Sequence, residues 1–170
     1  MVYINDRHQF IFIENPKSGS TSVLKALSES LGIQIQRTPH LQNAHQTCDQ
    51  LKELYPDKWE RYFKVSTFRD PYKRWYSSIN YPRHHNLRGI KSFHDLKNHL
   101  ENPGTCQYCI PQKEFTKVDF IINTNNTQQD YTTFCEIVGI PSCTVKIINK
   151  NNTILYTADQ LKELSLFATL

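Results

Sequence analysis

The chain has 170 residues, a formal net charge of +4 and 38% hydrophobic residues, which is typical of a folded globular protein and excludes a disordered one. The positive charge favours anionic partners, but it is too small and too dispersed to indicate a nucleic-acid-binding protein. The sequence has no run of the roughly 18 apolar residues that a membrane span requires. Residues 1–8 also lack the pattern of a secretory signal. We therefore expect a single cytoplasmic domain over residues 1–170.

Strand-like and helix-like segments alternate along the chain. Short apolar runs predict strands, and apolar residues at helical spacing predict helices, with Gly32 and Gly139 as natural helix ends. The predicted strands cover 9–14, 33–37, 63–68 and 118–122; the predicted helices cover 23–32, 46–62 with a break near Pro56, 71–81, 91–101, 127–138 and 157–168. This alternation predicts an α/β fold in which helices cover both faces of a central, mostly parallel sheet.

A turn of small residues joins the first of these strands to the first helix. It comprises Lys17, Ser18, Gly19, Ser20, Thr21 and Ser22. The N-terminus of a helix carries unpaired N–H groups and partial positive charge, so a turn that lets a ligand approach it closely favours an anion. The turn is not a Walker A motif, because its lysine precedes the glycine. It predicts a phosphate-binding loop with Lys17 at its mouth.

Two motifs, Asn15–Ser22 and Phe68–Ser77, each come at the end of a predicted strand. They resemble motifs of the PAPS-dependent sulfotransferases. Asn15–Ser22 is similar to the family's 5′-phosphosulfate loop, P-K-[ST]-G-[ST]-T-S, and Phe68–Ser77 is similar to its 3′-phosphate motif, R-[DN]-P-x-x-R-x-x-S. The resemblance implies that residues 17–22 bind the 5′-phosphosulfate. It also implies that Arg69 and Ser77 bind the 3′-phosphate, the arginine as a charged fork and the serine as a hydroxyl donor.

Further segments are similar to the Golgi-type carbohydrate sulfotransferases and their microbial relatives. They are the stretches around His45 and Asp57–Lys64, then Ile110–Gln112 and Val118–Ile121. This resemblance implies a P-loop-like three-layer fold and an enzyme that moves a sulfuryl group from PAPS to a hydroxyl of a carbohydrate, without a metal. The chain departs from the pattern at Asn123–Asn125, where relatives carry an Arg-Phe-Glu stretch.

The implied reaction needs a group for the departing phosphate and a base for the acceptor. Lys17 fits the first role, since a cation aimed at the 5′-phosphate stabilises the charge that develops on it. Histidine suits the second role near neutral pH; the resemblance favours His45, with His40 second. Glu14 is a third candidate by its position beside the loop, which would equally let it orient Lys17. A non-catalytic PAP-binding module and a kinase-like phosphotransferase remain alternatives, although the latter would need a G-K-[ST] loop and a magnesium carboxylate that we do not find.

Two further clusters have ambiguous patterns. Cys106 and Cys109 have the spacing of half a zinc site, with His94 and His99 nearby, but no second cysteine pair follows at a suitable distance. We therefore expect reduced thiols and no metal. The basic run formed by Arg83, His84, His85, Arg88 and Lys91 predicts either a solvated loop or a contact for an anionic acceptor.

Overall fold

The computed structural model describes residues 2–35, 45–81, 89–102, 109–148 and 155–165. The chain divides into two compact units. The first comprises Met1–Arg69 and Gln112–Ile148, and the second comprises Asp70–Pro111 and Asn149–Leu170. No helix among the described residues is both long enough and apolar enough to cross a membrane.

A four-stranded mixed sheet lies in the first unit. Its strands, in spatial and chain order, are β1 (Val2–Asn5), β2 (Phe10–Ile13), β3 (Phe63–Phe68) and β4 (Phe120–Asn123). β1 pairs antiparallel with β2, whereas β2 with β3 and β3 with β4 are parallel. The sequence patterns do not predict β1, because four residues at the chain terminus are too few to show an alternation. The sheet is thus mixed, with parallel pairing where helical crossovers connect the strands.

Seven α-helices occur in the described residues: α1 (Ser20–Leu31), α2 (Cys48–Leu54), α3 (Pro56–Arg61), α4 (Pro71–Ile79), α5 (Phe93–Glu101), α6 (Thr127–Val138) and α7 (Ala158–Leu164). A short 3₁₀ helix covers Gln112–Phe115. Gly32 and Gly139 end α1 and α6 in the left-handed conformation, and Pro56 begins α3 directly after α2. These features confirm the predicted helix ends and the predicted break at Pro56.

One predicted strand is wrong over the part that the structure describes. Residues 33–35 follow the end of α1 without forming a strand, and residues 36–37 lie outside the described residues. Ile33 donates its main-chain N–H to Ser28 O, so it closes the C-terminal turn of α1. The turn that Gly32 introduces therefore uses the main-chain group that strand pairing would need.

In the core of the first unit, β2 packs against α1. Phe10 and Phe12 are fully buried with Val23 and Leu27 of α1. Ile11 and Ile13 are also fully buried, and they point to the opposite face because successive strand residues alternate. Burial of all four β2 side chains fixes the position of the loop that leaves the strand.

The second unit has its own apolar core. Trp75 and Ile79 of α4 pack with Leu96 and Leu100 of α5, and Leu164 of α7 joins them. Asp70 caps α4 by accepting a hydrogen bond from the main-chain N–H of Lys73. The apolar faces of these three short helices therefore meet in the core of this unit.

Candidate phosphate-binding site

The loop that leaves β2 turns sharply into α1. Gly19 precedes the helix with φ of 79°, a left-handed conformation, and a Cβ at this position would come 3.3 Å from Thr124 Cγ2. Lys17 also has positive φ, 62°, which is unusual for a residue with a side chain. α1 begins without a side-chain cap, and in its first turn the N–H groups of Ser22 and Val23 both donate to the Gly19 carbonyl, at 3.0 and 3.4 Å.

The serine hydroxyls of the loop are engaged inside the protein. Ser18 and Ser20 both donate to the main-chain carbonyl of Asn15, at 2.7 and 3.2 Å. Ser22 accepts a hydrogen bond from the N–H of Ile148 at 3.0 Å. Thr21, by contrast, is exposed. The hydroxyls of Ser18 and Ser20 therefore shape the loop, whereas the Thr21 side chain is accessible at the start of α1.

Two cations adjoin each other at this loop. Arg69, which follows β3, donates from Nη1 to the main-chain oxygen of Lys17 at 3.3 Å. Partial burial, and to a smaller extent the charge of Arg69, lowers the pKa of Lys17 to about 8. Adjacent positive charges at a helix N-terminus repel each other unless an anion lies between them, so the electrostatics favour an anionic ligand.

A buried amide network fixes Arg69 against the loop. Gln112 Oε1 accepts from the main-chain N–H of Arg69 at 3.0 Å, and Gln112 Nε2 donates to the Arg69 carbonyl at 2.9 Å. Asn15 Nδ2 donates to the same Gln112 oxygen and to the carbonyl of Thr67, both at 2.9 Å. Gln112 thus joins the ends of β2 and β3 and holds the main chain of Arg69 in place.

His45 lies against the residue that precedes the loop. Its Nδ1 is 2.9 Å from the main-chain oxygen of Glu14 and 3.9 Å from the Glu14 carboxylate. Both side chains are largely buried, at 13% and 8% exposure. The structure therefore brings His45, Glu14, Lys17 and Arg69 together at the carboxyl ends of β2 and β3, where open α/β sheets bind ligands.

The other predicted residues belong to the second unit or lie outside the described residues. Ser77 is on α4 in the second unit. Arg74, from the same motif, is buried in that unit, where Nη2 donates to the carbonyl of Ile110 and burial lowers its pKa to about 10. His40 lies outside the described residues, as do Arg83, His84, His85, Arg88 and Cys106.

Of the predicted half zinc site, the structure describes Cys109, His94 and His99 but not Cys106. Cys109 Sγ lies 3.9 Å from His99 Nε2. No group of three or more His, Cys, Asp or Glu side chains within the described ranges could hold a metal ion. Metal independence of the chemistry stays a prediction that only an assay can test.

The sequence patterns did not identify the supporting residues of the site. Asn15 and Gln112 carry the amide network, yet in the sequence they were only members of longer motifs. The position of Asn15 directly before Pro16 could have been the signal, because the residue before a proline is extended and can direct its side chain inward. No protein-family model, curated protein or solved structure matches the chain.

Proposed function

We propose that this protein is a PAPS-dependent sulfotransferase that transfers a sulfuryl group to a hydroxyl of a carbohydrate. The observation that carries the proposal is the pair of adjoining cations, Lys17 and Arg69, at the N-terminus of α1. His45 lies at the start of the same loop, against Glu14. A loop suited to an anion, with a histidine beside it, supports the proposal because the transfer needs a phosphate site and a base.

The donor would bind through its two phosphate ends. The 5′-phosphosulfate would lie on the main-chain N–H groups at the start of α1, with Lys17 and Thr21 contributing an ammonium and a hydroxyl. The sequence motif assigns Arg69 and Ser77 to the 3′-phosphate. The succession of β2, tight loop and α1 beside two parallel strand pairs supports a P-loop-like fold for this pocket.

The transfer is an in-line displacement at sulfur. His45 takes the proton from the acceptor hydroxyl, whose oxygen forms a bond to sulfur while the bond from sulfur to the 5′-phosphate oxygen breaks. The departing phosphate of PAP keeps the electron pair, and the Lys17 ammonium neutralises the charge that develops there. Lys17 is protonated for this purpose below its pKa of about 8.

Radiolabelled PAPS tests the proposal directly. We would incubate the full chain with glycans, small alcohols and tyrosine peptides in excess EDTA, and we expect label on a glycan. A positioned base contributes about a hundred- to ten-thousand-fold, so His45→Ala should lower turnover by that factor, whereas His40→Ala should lower it much less. PAP binding without transfer to any acceptor would favour a non-catalytic module. Transfer that magnesium restores, with ATP as donor, would favour a phosphotransferase.

A further inference from the structure

The pairing of His45 with Glu14 brings together residues from two elements. Glu14 directly follows β2, and His45 lies two residues before Thr47, the N-cap of α2. The contact spans 31 positions of the chain. Its geometry therefore depends on the fold and not on local sequence.

The nearer contact assigns the proton on the ring. A carbonyl oxygen can only accept a hydrogen bond, so the Nδ1 atom 2.9 Å from Glu14 O carries the hydrogen. In the neutral imidazole the other nitrogen then carries the lone pair. Nε2 is accordingly the basic atom of His45.

The second contact, with the Glu14 carboxylate, affects the charge of the His45 ring. At 3.9 Å the Glu14 carboxylate is too distant for a good hydrogen bond to Nδ1 but close enough for a strong electrostatic interaction. Because the carboxylate is only 8% exposed, salt screens this interaction less than it would on the surface. The negative charge favours the protonated ring over the neutral one.

We propose that Glu14 is a positioning residue for His45: its main-chain carbonyl fixes the tautomer, and its carboxylate stabilises the imidazolium that forms when Nε2 takes a proton. The proposal rests on the proposed function, because the proton in question is that of the acceptor hydroxyl. It gives Glu14 a role different from the two that the sequence suggested, which were a base in its own right or a partner for Lys17.

Other charges near this part of the fold act in identifiable directions. Lys17 on the same loop and Arg69 after β3 are cations that contact each other, and positive charge close to the ring would disfavour its protonation. Asp49 of α2 is hydrogen-bonded to Lys117 at 2.6 Å, so its charge is balanced by a cation. Loss of the Glu14 carboxylate should therefore leave His45 harder to protonate.

Nuclear magnetic resonance on the full chain labelled with ¹⁵N-histidine tests both parts of the proposal. In the unaltered protein, the ring nitrogen shifts of His45 should show hydrogen on Nδ1 and not on Nε2. Glu14→Gln keeps the main-chain carbonyl and the side-chain shape, so the tautomer should persist while the pKa of His45 falls by about one unit, a tenfold loss of proton affinity. Glu14→Asp keeps a carboxylate and should retain most of the proton affinity of His45. Glu29→Gln, which removes an exposed carboxylate of α1, should leave the His45 pKa unchanged.

The results separate this inference from the proposed function. An Nε2–H tautomer, or a His45 pKa that stays the same in a folded Glu14→Gln protein, would overturn the pairing whether or not the chain transfers sulfate. If the pairing holds and the chain is active, Glu14→Gln should lower kcat by about tenfold or more, shift the acidic limb of the kcat profile to lower pH, and leave PAP affinity within about twofold. If no acceptor is ever labelled, the proposed function fails, while the resonance data still decide the pairing.

Discussion

Lys17 has an unusual backbone and a partly buried charge. Its φ is 62°, and burial together with Arg69 lowers the pKa of its ammonium from 10.5 to about 8. A lowered lysine pKa means that the charged form is disfavoured in the folded state. The resulting loss of folding stability is fully present below pH 8 and absent above pH 10.5. Strain and burial of this kind are common where a residue is retained for binding.

We therefore predict that Lys17→Met stabilises the unliganded protein. Because Lys17 is partly exposed to solvent, we expect its replacement to raise the free energy of unfolding by only about 1 kcal/mol near neutral pH, which is a rise in Tm of about 2–4 °C. The gain should shrink between pH 8 and 10.5, where the folded and then the unfolded lysine lose their charge. Thermal unfolding followed by circular dichroism at several pH values measures it, with the exposed Lys25→Met as control. A lower Tm for Lys17→Met near pH 7 would contradict the prediction.

The same lysine should make donor binding depend on pH. A bound phosphate favours the ammonium and raises its pKa in the complex. Between about pH 6.5 and 7.5 Lys17 is already charged, so affinity for PAP should hardly change. Above pH 8 binding must include uptake of a proton, and affinity should fall by up to about tenfold per pH unit. Titration calorimetry in buffers of different ionisation enthalpy would show that uptake; Lys17→Arg, which stays charged, should remove it.

The residues of the site could be predicted from the sequence only in part. Lys17, His45 and Arg69 were predicted as site residues because each belongs to a motif, and the fold does bring them to one edge of the sheet. The directions of the Ser18 and Ser20 hydroxyls could not be predicted, since they depend on where the Asn15 carbonyl points within a turn of unusual φ values. A motif specifies residue types, whereas hydroxyl direction is a property of the folded loop.

Gln112, at the start of the 3₁₀ helix, joins the loop after β2 to the end of β3. Replacement by leucine would leave the N–H and carbonyl of Arg69 and the amide of Asn15 without this partner in a buried environment. An unsatisfied buried group costs about 1–3 kcal/mol, so we expect Gln112→Leu to lower the free energy of unfolding by about 3 kcal/mol. PAP affinity should fall as well, because Arg69 loses its support.

Urea unfolding of Gln112→Leu measures that loss. The matched control is Gln129→Leu, which changes an exposed glutamine of α6 and should alter the free energy of unfolding by less than about 0.5 kcal/mol. Equal stability of the two variants would mean that the amide network contributes nothing measurable.

At the level of strands and helices, periodicity was sufficient wherever an element was long or had a clear end. α1 and α6 end at their predicted glycines, and β3 covers the predicted residues 63–68. β1 was missed because its own sequence pattern is weak. Pairing with β2, which is a tertiary interaction, stabilises it. The mixed direction of the strands could not be predicted for the same reason, since strand direction depends on partners that no local sequence window contains.

Binding of the donor would act on the native state as a whole. A ligand that binds only the folded protein stabilises it by about 2.7 kcal/mol at a hundred times its Kd, which for a chain of this size is a rise in Tm of about 5–10 °C. We predict such a rise with PAP and a smaller one with ATP, which has no 3′-phosphate for Arg69. The measurement is differential scanning fluorimetry over a range of ligand concentrations.

Three variants determine where the difference between the two nucleotides arises. Arg69→Ala should abolish most of the excess that PAP gives over ATP, while Arg61→Ala, an exposed arginine of α3, should leave it intact. Ser77→Ala should reduce the excess by less than Arg69→Ala, since a neutral hydroxyl donor contributes about half as much as a charge-assisted one. Equal shifts with PAP and ATP in the unaltered protein would remove the case for a 3′-phosphate site. The cations at α1 would then indicate a general nucleotide or phosphate pocket, and the acceptor assay would have to be repeated with other donors.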